Sequence, residues 1–251
     1  MPEGDTIWRT AAALREHVGG RTVLAARPPD LARLEGRVLE RAEAAGKHLL
    51  LHFTGGLVLH SHLRMRGAWH LYRPGEGWRR PCRQARAVLD FGPWVVVCFA
   101  APVVELVADV RARVGHLGPD ICAPEFPLEA VVARARALGP RPIGEVMLDQ
   151  RVCSGIGNVY RCEVLWELGL NPWRSSAELS DEQLGDVFTL ARTWMRANLR
   201  GGAMPRRFAG GRPAAVHGRG GRPCPRCGGP VQVRRLGEHA RLVYHCPTCQ
   251  A

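Results

Sequence analysis

The chain has 251 residues, 46% of them hydrophobic, with a formal net charge of +12 at neutral pH and a sequence pI near 10.1; that apolar content is ample for a packed core in one large domain or two modest ones. The longest apolar run, Trp94 to Val104, has 11 residues and is interrupted by Pro102, and the N-terminus lacks a basic-then-apolar leader. These features argue against a bilayer span and a secretory signal, and they predict a cytoplasmic protein.

In chain order, residues from about 5 to 18 carry apolar side chains at helical spacing, with Asp5 or Thr6 as N-cap and Gly19-Gly20 as the stop. From there to about residue 104, short β-rich runs recur between glycine and proline punctuation: RTVLAAR, GRVLERAEAAG, KHLLLHF, GLVLHSH, GAWHLYR, ARAVLDF and WVVVCFA. The breaks at Thr54-Gly55-Gly56 and Gly92-Pro93 read as hairpin turns, so this part is predicted to be an antiparallel sandwich or barrel. Beyond Pro124 the spacing becomes helical, in LEAVVARARAL, IGEVMLD, NVYRCEVLWEL and DEQLGDVFTLARTWMRANL. A Gly/Arg/Pro-rich stretch from Gly201 to Gly221 reads as a mobile connector, and the runs VQVRRL and ARLVYH near the end suit a two-stranded hairpin. The expected fold is α+β, with an N-terminal helix and antiparallel β-sandwich over 1–124, a helical domain with connector over 125–221, and a cysteine-bearing finger over 222–251.

Of the nine cysteines, Cys82, Cys98, Cys122, Cys153 and Cys162 are scattered and read as small buried residues or inert thiols. The other four, Cys224, Cys227, Cys246 and Cys249, form two C-x2-C pairs separated by 18 residues. Two knuckles at that spacing place four thiolates around one zinc ion, and a set filled by protein leaves no position for water, so the ion is structural. His239 and His245 are possible competing ligands, but the cysteine set is already complete.

The excess positive charge suits a polyanion such as nucleic acid. Anionic membranes attract the same charge, but the chain has no amphipathic basic helix or lipidation motif, so no membrane partner is expected. Among the 35 cationic residues Lys47 is the single lysine, in the segment Ala45-Gly46-Lys47-His48; codon bias accounts for the arginine excess, yet arginine stays charged and cannot shuttle protons as an amine can. In SHLRMRG, Arg64 and Arg66 flank Met65, either as an apolar wedge between cations that fills a gap in a base stack or as alternate packing on a strand. Gly155-Ile156-Gly157-Asn158 separates a short helix from a longer one, as an ordinary helix-helix turn or as an anion site at a helix N-terminus, with Gln150 and Arg151 adding polar character. Arginines of the finger, Arg226, Arg234, Arg235 and Arg241, form a solvated rim or clamp phosphate.

Together these segments resemble the bacterial endonuclease VIII and formamidopyrimidine-DNA glycosylase family of base-excision repair enzymes. The resemblance covers nearly the whole chain in order: MPEGDT, AGKHLL, SHLRMRG, LDQRVCSGIGN and the finger ending in CPTCQ. It implies a helix-two-turn-helix in the second domain, a DNA channel in the groove between domains, and double-stranded DNA with damaged bases or abasic sites as partner, bound by a monomer that associates with the nucleoid. The Gly4-Asp5 continuation looks like the endonuclease VIII branch, which points to oxidised pyrimidines. No extra lesion-capping insertion is evident, which favours the same branch.

The resemblance also gives the opening residues a chemical role. With Met1 removed, Pro2 exposes a secondary amine that attacks the sugar C1′; an α-amino group titrates at about 8 against about 10.4 for lysine, so its neutral form costs roughly 3 kcal/mol less to populate. The adduct with a ring-opened sugar is an iminium that stays cationic, an electron sink for β-elimination and then, by the resemblance, δ-elimination. Glu3 is the implied general acid/base; without the other motifs it reads as a surface carboxylate balancing a helix N-terminus. Lys47 matches the family's hairpin lysine near the lesion phosphate. Asn158 and Arg241 match its two phosphate ligands, and Met65 its void-filling residue, with Arg64 and Arg66 beside it. Rotating a nucleotide out of the duplex costs a few kcal/mol, which wedge and clamps offset. Neutralising about four to six phosphates makes log K fall by about 0.9 per phosphate with log salt. One departure is Ala214-Ala215, where a bulkier residue is expected, so contacts from that loop are open. Alternatives are a family member preferring oxidised purines or abasic sites, and a zinc-containing DNA-binding protein without catalysis.

Overall fold

Ile7, Ala11, Leu14 and Val18 recur at helical spacing and are buried, and the segment Gly4–Val18 forms helix α1. The computed structural model describes residues 2–200, 206–238 and 240–251; His239 and the first part of the connector, 201–205, lie outside them. The N-cap is Glu3, upstream of the expected Asp5 or Thr6: its backbone is extended, and its carbonyl accepts from the amides of Thr6 (2.9 Å) and Ile7 (3.3 Å). Asp5 sits inside the first turn, buried, and its carboxylate accepts from the Thr6 amide at 2.7 Å.

Eight strands follow: β1 Ala25–Arg27, β2 Leu39–Ala45, β3 His48–Phe53, β4 Leu57–His62, β5 Ala68–Tyr72, β6 Ala85–Asp90, β7 Val95–Phe99 and β8 Val103–Val107. They pair antiparallel into two four-stranded sheets, ordered β1-β6-β7-β5 and β2-β3-β4-β8. Alternation decides which side chains meet: Leu49, Leu51 and Phe53 of one sheet and Leu89, Val96 and Cys98 of the other join α1 in one core. Each fully buried aliphatic side chain contributes roughly 1.5–3 kcal/mol. Val88, Val97 and Phe99, on the other face of their sheet, pack with Tyr72 and Trp78. Strand β8 was not foreseen as separate, because Trp94 to Val104 reads as one apolar run; Pro102 falls in the break, and Val103–Val107 pairs with β4 from His62 to Val58. A short helix, α2 (Arg111–Val114), follows.

By its internal contacts the chain divides into two units, Met1–His116 and Leu117–Ala251. The second begins earlier than the composition change at 124 suggests, because residues 117–124 are bonded to helical-unit backbone: Gly118 to Gln150 (2.8 Å) and Ile121 to Ser154 (3.0 Å). It holds α3 (Leu128–Ala137), α4 (Ile143–Val146), α5 (Asn158–Glu167) and α6 (Asp181–Ala197), the last opened by a capping box between Ser180 and Gln183. The hairpin β9 (Gln232–Leu236) and β10 (Arg241–His245) closes the chain. It is no separate body: Cys224, Val231, Val243 and Cys246 share a core with Cys162 and Trp166 of α5.

The described part of the connector, 206–221, is packed and so corrects the expectation of a mobile link. Phe208, Ala215 and Val216 are buried, and the carboxylate of Glu163 accepts from three successive amides, Ala215 (2.6 Å), Val216 (2.9 Å) and His217 (2.8 Å). A bulkier residue at Ala215 would have to displace that core. Of the scattered cysteines Cys98, Cys122, Cys153 and Cys162 are buried as expected, whereas Cys82 is exposed, in a loop between β5 and β6. Among the described residues no helix is long and apolar enough to cross a membrane.

Candidate active site and nucleic-acid interface

Pro2 and Glu3 lead into α1, where Pro2 is half-buried and Glu3 is 0% exposed. That burial removes the alternative of a surface carboxylate. A carboxyl group taken from water must be partnered or protonated, which suits a group that moves protons.

Lys47, half-buried, lies with Gly46 in the turn joining β2 to β3, and Gly46 has φ 58°, the left-handed region that glycine tolerates without strain. Register brings this turn beside a second one. His48, next to Lys47, pairs with His62 at the end of β4, which runs into the exposed turn Arg64-Met65-Arg66. Met65 is 64% exposed, so it is a projecting side chain and not a packed strand residue. Arg64 is itself left-handed (φ 50°), a conformation that costs a non-glycine residue about 1–2 kcal/mol, and its amide donates to His62 Nδ1 at 3.2 Å. Gly67 ends the turn where a Cβ would come 2.6 Å from the Leu63 carbonyl oxygen. Sequence and topology thus place Lys47, Arg64, Met65 and Arg66 at one end of one sheet. Burial, then the positive charges of Arg64 and Lys47, hold His62 down to about 4, and burial with its histidine and arginine neighbours holds His48 down to about 3.

In the second unit the turn before α5 is pinned by Gln150, whose side chain accepts from the Gly155 amide (3.0 Å) and donates to the carbonyls of Leu148 (2.8 Å) and Ile156 (3.1 Å). Gly155 has φ 105°, which a side chain would disfavour. Arg151 is exposed and pairs with Asp149 at 2.6 Å, and hydrogen bonds from Arg151 hold the Asp149 carboxyl below its usual range. Asn158, the first residue of α5, donates from Nδ2 to the carbonyl of Leu242 at 2.9 Å. Arg161, buried one turn later, bonds the Asn158 side-chain oxygen, the Leu242 carbonyl (2.9 Å) and the Gly144 carbonyl (3.3 Å). The residue before Leu242 is Arg241, exposed at the start of β10. The hydrogen-bond network of Asn158 therefore reaches the strand residue next to Arg241.

Arg161 and Glu163 were missed in the sequence, although two opposite charges inside the apolar run NVYRCEVLWEL were a signal. Glu163 also pairs with Arg212 (3.1 Å), whose second amino group reaches Glu167 (2.7 Å) and whose guanidinium lies over Trp166. The four finger arginines are all exposed; Arg226 donates to the carbonyls of Trp166 and Glu167 (both 3.1 Å), Arg234 stacks on Trp173, and Arg235 donates to the carbonyl of Ala240 (3.1 Å), so these three also brace the finger.

The sulfur atoms of Cys224, Cys227, Cys246 and Cys249 lie within 4.8 Å of one another, with Cys224 to Cys249 at 3.9 Å and Cys227 to Cys246 at 3.4 Å. Tetrahedral coordination with bonds of about 2.3 Å puts sulfurs about 3.8 Å apart, so this set fits a tetrahedral metal ion. The chemistry agrees. Against the cost of burial, backbone amides of Arg226 and Cys227 bring the Cys224 thiol down to about 6, while burial and the neighbouring sulfurs push Cys249 up to about 12. Four thiolates this close repel one another, and a cation among them removes that repulsion. His245 is adjacent to the set but turns its ring against Trp173, with centroids 4.7 Å apart.

Residues 1–102 match the N-terminal domain of formamidopyrimidine-DNA glycosylase, and residues 117–208 match its H2TH domain. A probable endonuclease 8 2 of Streptomyces coelicolor is 40% identical over 262 residues, covering 100% of this chain and 94% of that one. A DNA-(apurinic or apyrimidinic site) lyase Nei2 of Mycolicibacterium smegmatis is 35% identical, covering 100% and 99%. The crystal structure of the MutM (Fpg) protein of Thermus thermophilus superposes with a TM-score of 0.80 at 29% identity, covering 99% of this chain and 98% of that one.

Proposed function

Because the chain belongs to the formamidopyrimidine-DNA glycosylase and endonuclease VIII family, we propose that it is a bifunctional DNA glycosylase and abasic-site lyase of base-excision repair, with oxidised pyrimidines as its main bases. The observation that carries this reading is the buried Glu3 following Pro2 at the start of α1, in a chain similar throughout to endonuclease 8 proteins.

In this reading Met1 is removed and the Pro2 nitrogen bonds to C1′ of the damaged nucleotide. The C1′–base bond breaks, and the base leaves with the electron pair and takes up a proton. The proline nitrogen gives up its own proton and supplies the pair that opens C1′–O4′, while Glu3 protonates O4′. The product is a cationic iminium. Loss of the C2′ proton then sends electrons toward the iminium and expels the 3′ phosphate, and a second elimination expels the 5′ phosphate.

The remaining residues hold the DNA. Lys47 meets phosphate near the lesion, and Met65 enters the stack vacated by the everted nucleotide with Arg64 and Arg66 at its sides. An amide nitrogen carries two hydrogens, so Asn158 can bond Leu242 with one and a phosphate with the other, next to the fork of Arg241. Zinc is the ion we assign to the four cysteines; when bound it closes the finger that carries Arg241 and supplies no reacting group. The protein works as a monomer on double-stranded DNA carrying damaged bases or abasic sites, in the cytoplasm, and no membrane takes part.

Duplexes carrying thymine glycol, dihydrouracil or 8-oxoguanine test the reading. The first two are expected to be processed fastest. Glu3→Gln should abolish base removal while sparing part of the cleavage at abasic sites; base removal by Glu3→Gln at the wild-type rate would refute the assigned proton donor.

A further inference from the structure

The outer face of the second sheet carries a row of polar groups that the reaction above does not use. His60 on β4 lies between His48 on β3 and Glu105 on β8: His48 Nδ1 is 2.8 Å from His60 Nε2, and His60 Nδ1 is 3.1 Å from Glu105 Oε1. Arg113 of α2 closes the row, with Nε 3.0 Å from Oε1 and a second amino group 3.1 Å from Oε2 of Glu105. The His48 and His60 rings are stacked with centroids 5.1 Å apart, and His60 is buried.

A carboxylate only accepts, so His60 Nδ1 carries the hydrogen toward Glu105; in an uncharged pair His60 Nε2 is then the acceptor and His48 Nδ1 the donor. The row runs from Arg113 to the residue bonded to Lys47. On the same face Leu50, opposite His60, packs with Val58 and Val107 and with Val110 and Val114 beside and within α2. Around the pair stand His62 from β4, Arg64 from the β4–β5 turn and His116 beyond α2, with Glu105 from β8 bonded to His60, Arg113 from α2 bonded to Glu105, and Lys47 from the β2–β3 turn acting on the neighbouring His62. Asp109 and Arg111 stand at the start of α2, and farther along the sheet Arg41, Glu43 and His52 pair among themselves.

In this crowd of cations an isolated Glu105 carboxylate would draw a proton onto the imidazoles. The bidentate Arg113 fork satisfies it instead. We propose that Glu105 and Arg113 are positioning residues for Lys47: by anchoring an uncharged His60–His48 pair they fix the start of β3 and keep a further cation away from the Lys47 ammonium. This rests on the role given to Lys47 above. Burial and the neighbouring histidines and Arg64, which hold His48 down to about 3, are consistent with an uncharged His48.

Arg113→Met keeps the apolar stem and removes the fork, so the pair takes up a proton as pH falls toward 6. Cleavage of abasic duplex by Arg113→Met should match wild type near pH 8 and fall about tenfold below it at pH 6, as expected for a site mostly in the wrong protonation state. Adding Glu105→Gln, which removes the carboxylate that draws the proton, should restore the pH 6 activity. Long-range ¹H–¹⁵N correlation spectra should show the Nδ1–H tautomer at His48 and His60 in wild type and an imidazolium signature in Arg113→Met at pH 6. An equal loss at every pH, or a flat profile with unchanged imidazole signals, would overturn the proposal. If wild type itself fails to cleave, the enzymatic reading fails with it; if wild type cleaves and the variant's profile stays parallel, only this inference does.

Discussion

The two units hold their candidate functional groups in opposite ways. In the first, Lys47, Arg64, Met65 and Arg66 stand on turns at the end of a sheet whose inner face packs on an apolar core from Ile7 to Ala101. In the second, Asn158 and Arg241 are tied to buried charges and thiols: Arg161 under the Leu242 carbonyl, Glu163 under the 215–217 backbone, and four cysteines under the hairpin. Polar groups out of water are costly unless every partner is present. Changes on the first unit's turns should therefore alter chemistry with little effect on folding, whereas in the second unit folding and DNA contact should fail together.

The largest expected effect is at the metal set. Cys246→Ser removes one of four thiolates, and a structural zinc site contributes on the order of 10 kcal/mol to folding. The variant should be isolated without metal and lose affinity for abasic-site duplex, read by elemental analysis and fluorescence anisotropy. Metal-free protein that binds like wild type would break the comparison. Next is Glu163→Gln, which keeps the shape but removes the charge that faces Arg212 and three amides. Unfolding of the second unit in urea should become easier by about 3 kcal/mol, the scale of a broken buried ion pair. A change under about 0.5 kcal/mol would mean the 215–217 loop is held by its apolar contacts alone.

How far these arrangements were legible in the sequence follows the same division. The N-terminal helix, the strand runs and the two knuckles could be read locally, because they depend on periodicity or on spacing within a few residues. Strand β8 could not, since one proline inside an apolar run does not say on which side pairing resumes. The connector looked mobile by composition, yet Phe208 packs on Tyr160 and Trp194, and Glu163, far back in the chain, supplies acceptors for the amides of the buried Ala215 and Val216. Spacing and charge put Asn158 and Arg241 among several candidates and the resemblance singled them out; the Leu242 carbonyl that joins their neighbourhoods is a backbone group, invisible in any motif. The His48–His60–Glu105–Arg113 row depends on strand register, which a pattern of isolated histidines does not specify.

The smallest effect on stability is expected at Met65, and it sharpens the contrast. Met65→Ala removes an exposed side chain, so stability should change by less than about 0.5 kcal/mol. Base excision from duplex DNA should nonetheless fall several-fold, while cleavage of an abasic site in single-stranded DNA, where no stack needs filling, should be unchanged. Equal losses on both substrates would remove the wedge role.

The central claim is that the nitrogen of Pro2 bonds to the sugar. Protein shown by sequencing to begin with proline and to contain its metal should, with borohydride and abasic-site duplex, yield one covalent adduct whose peptide mass maps to the N-terminal residue. An adduct on Lys47, or none under conditions in which the same protein nicks the strand, would contradict the account.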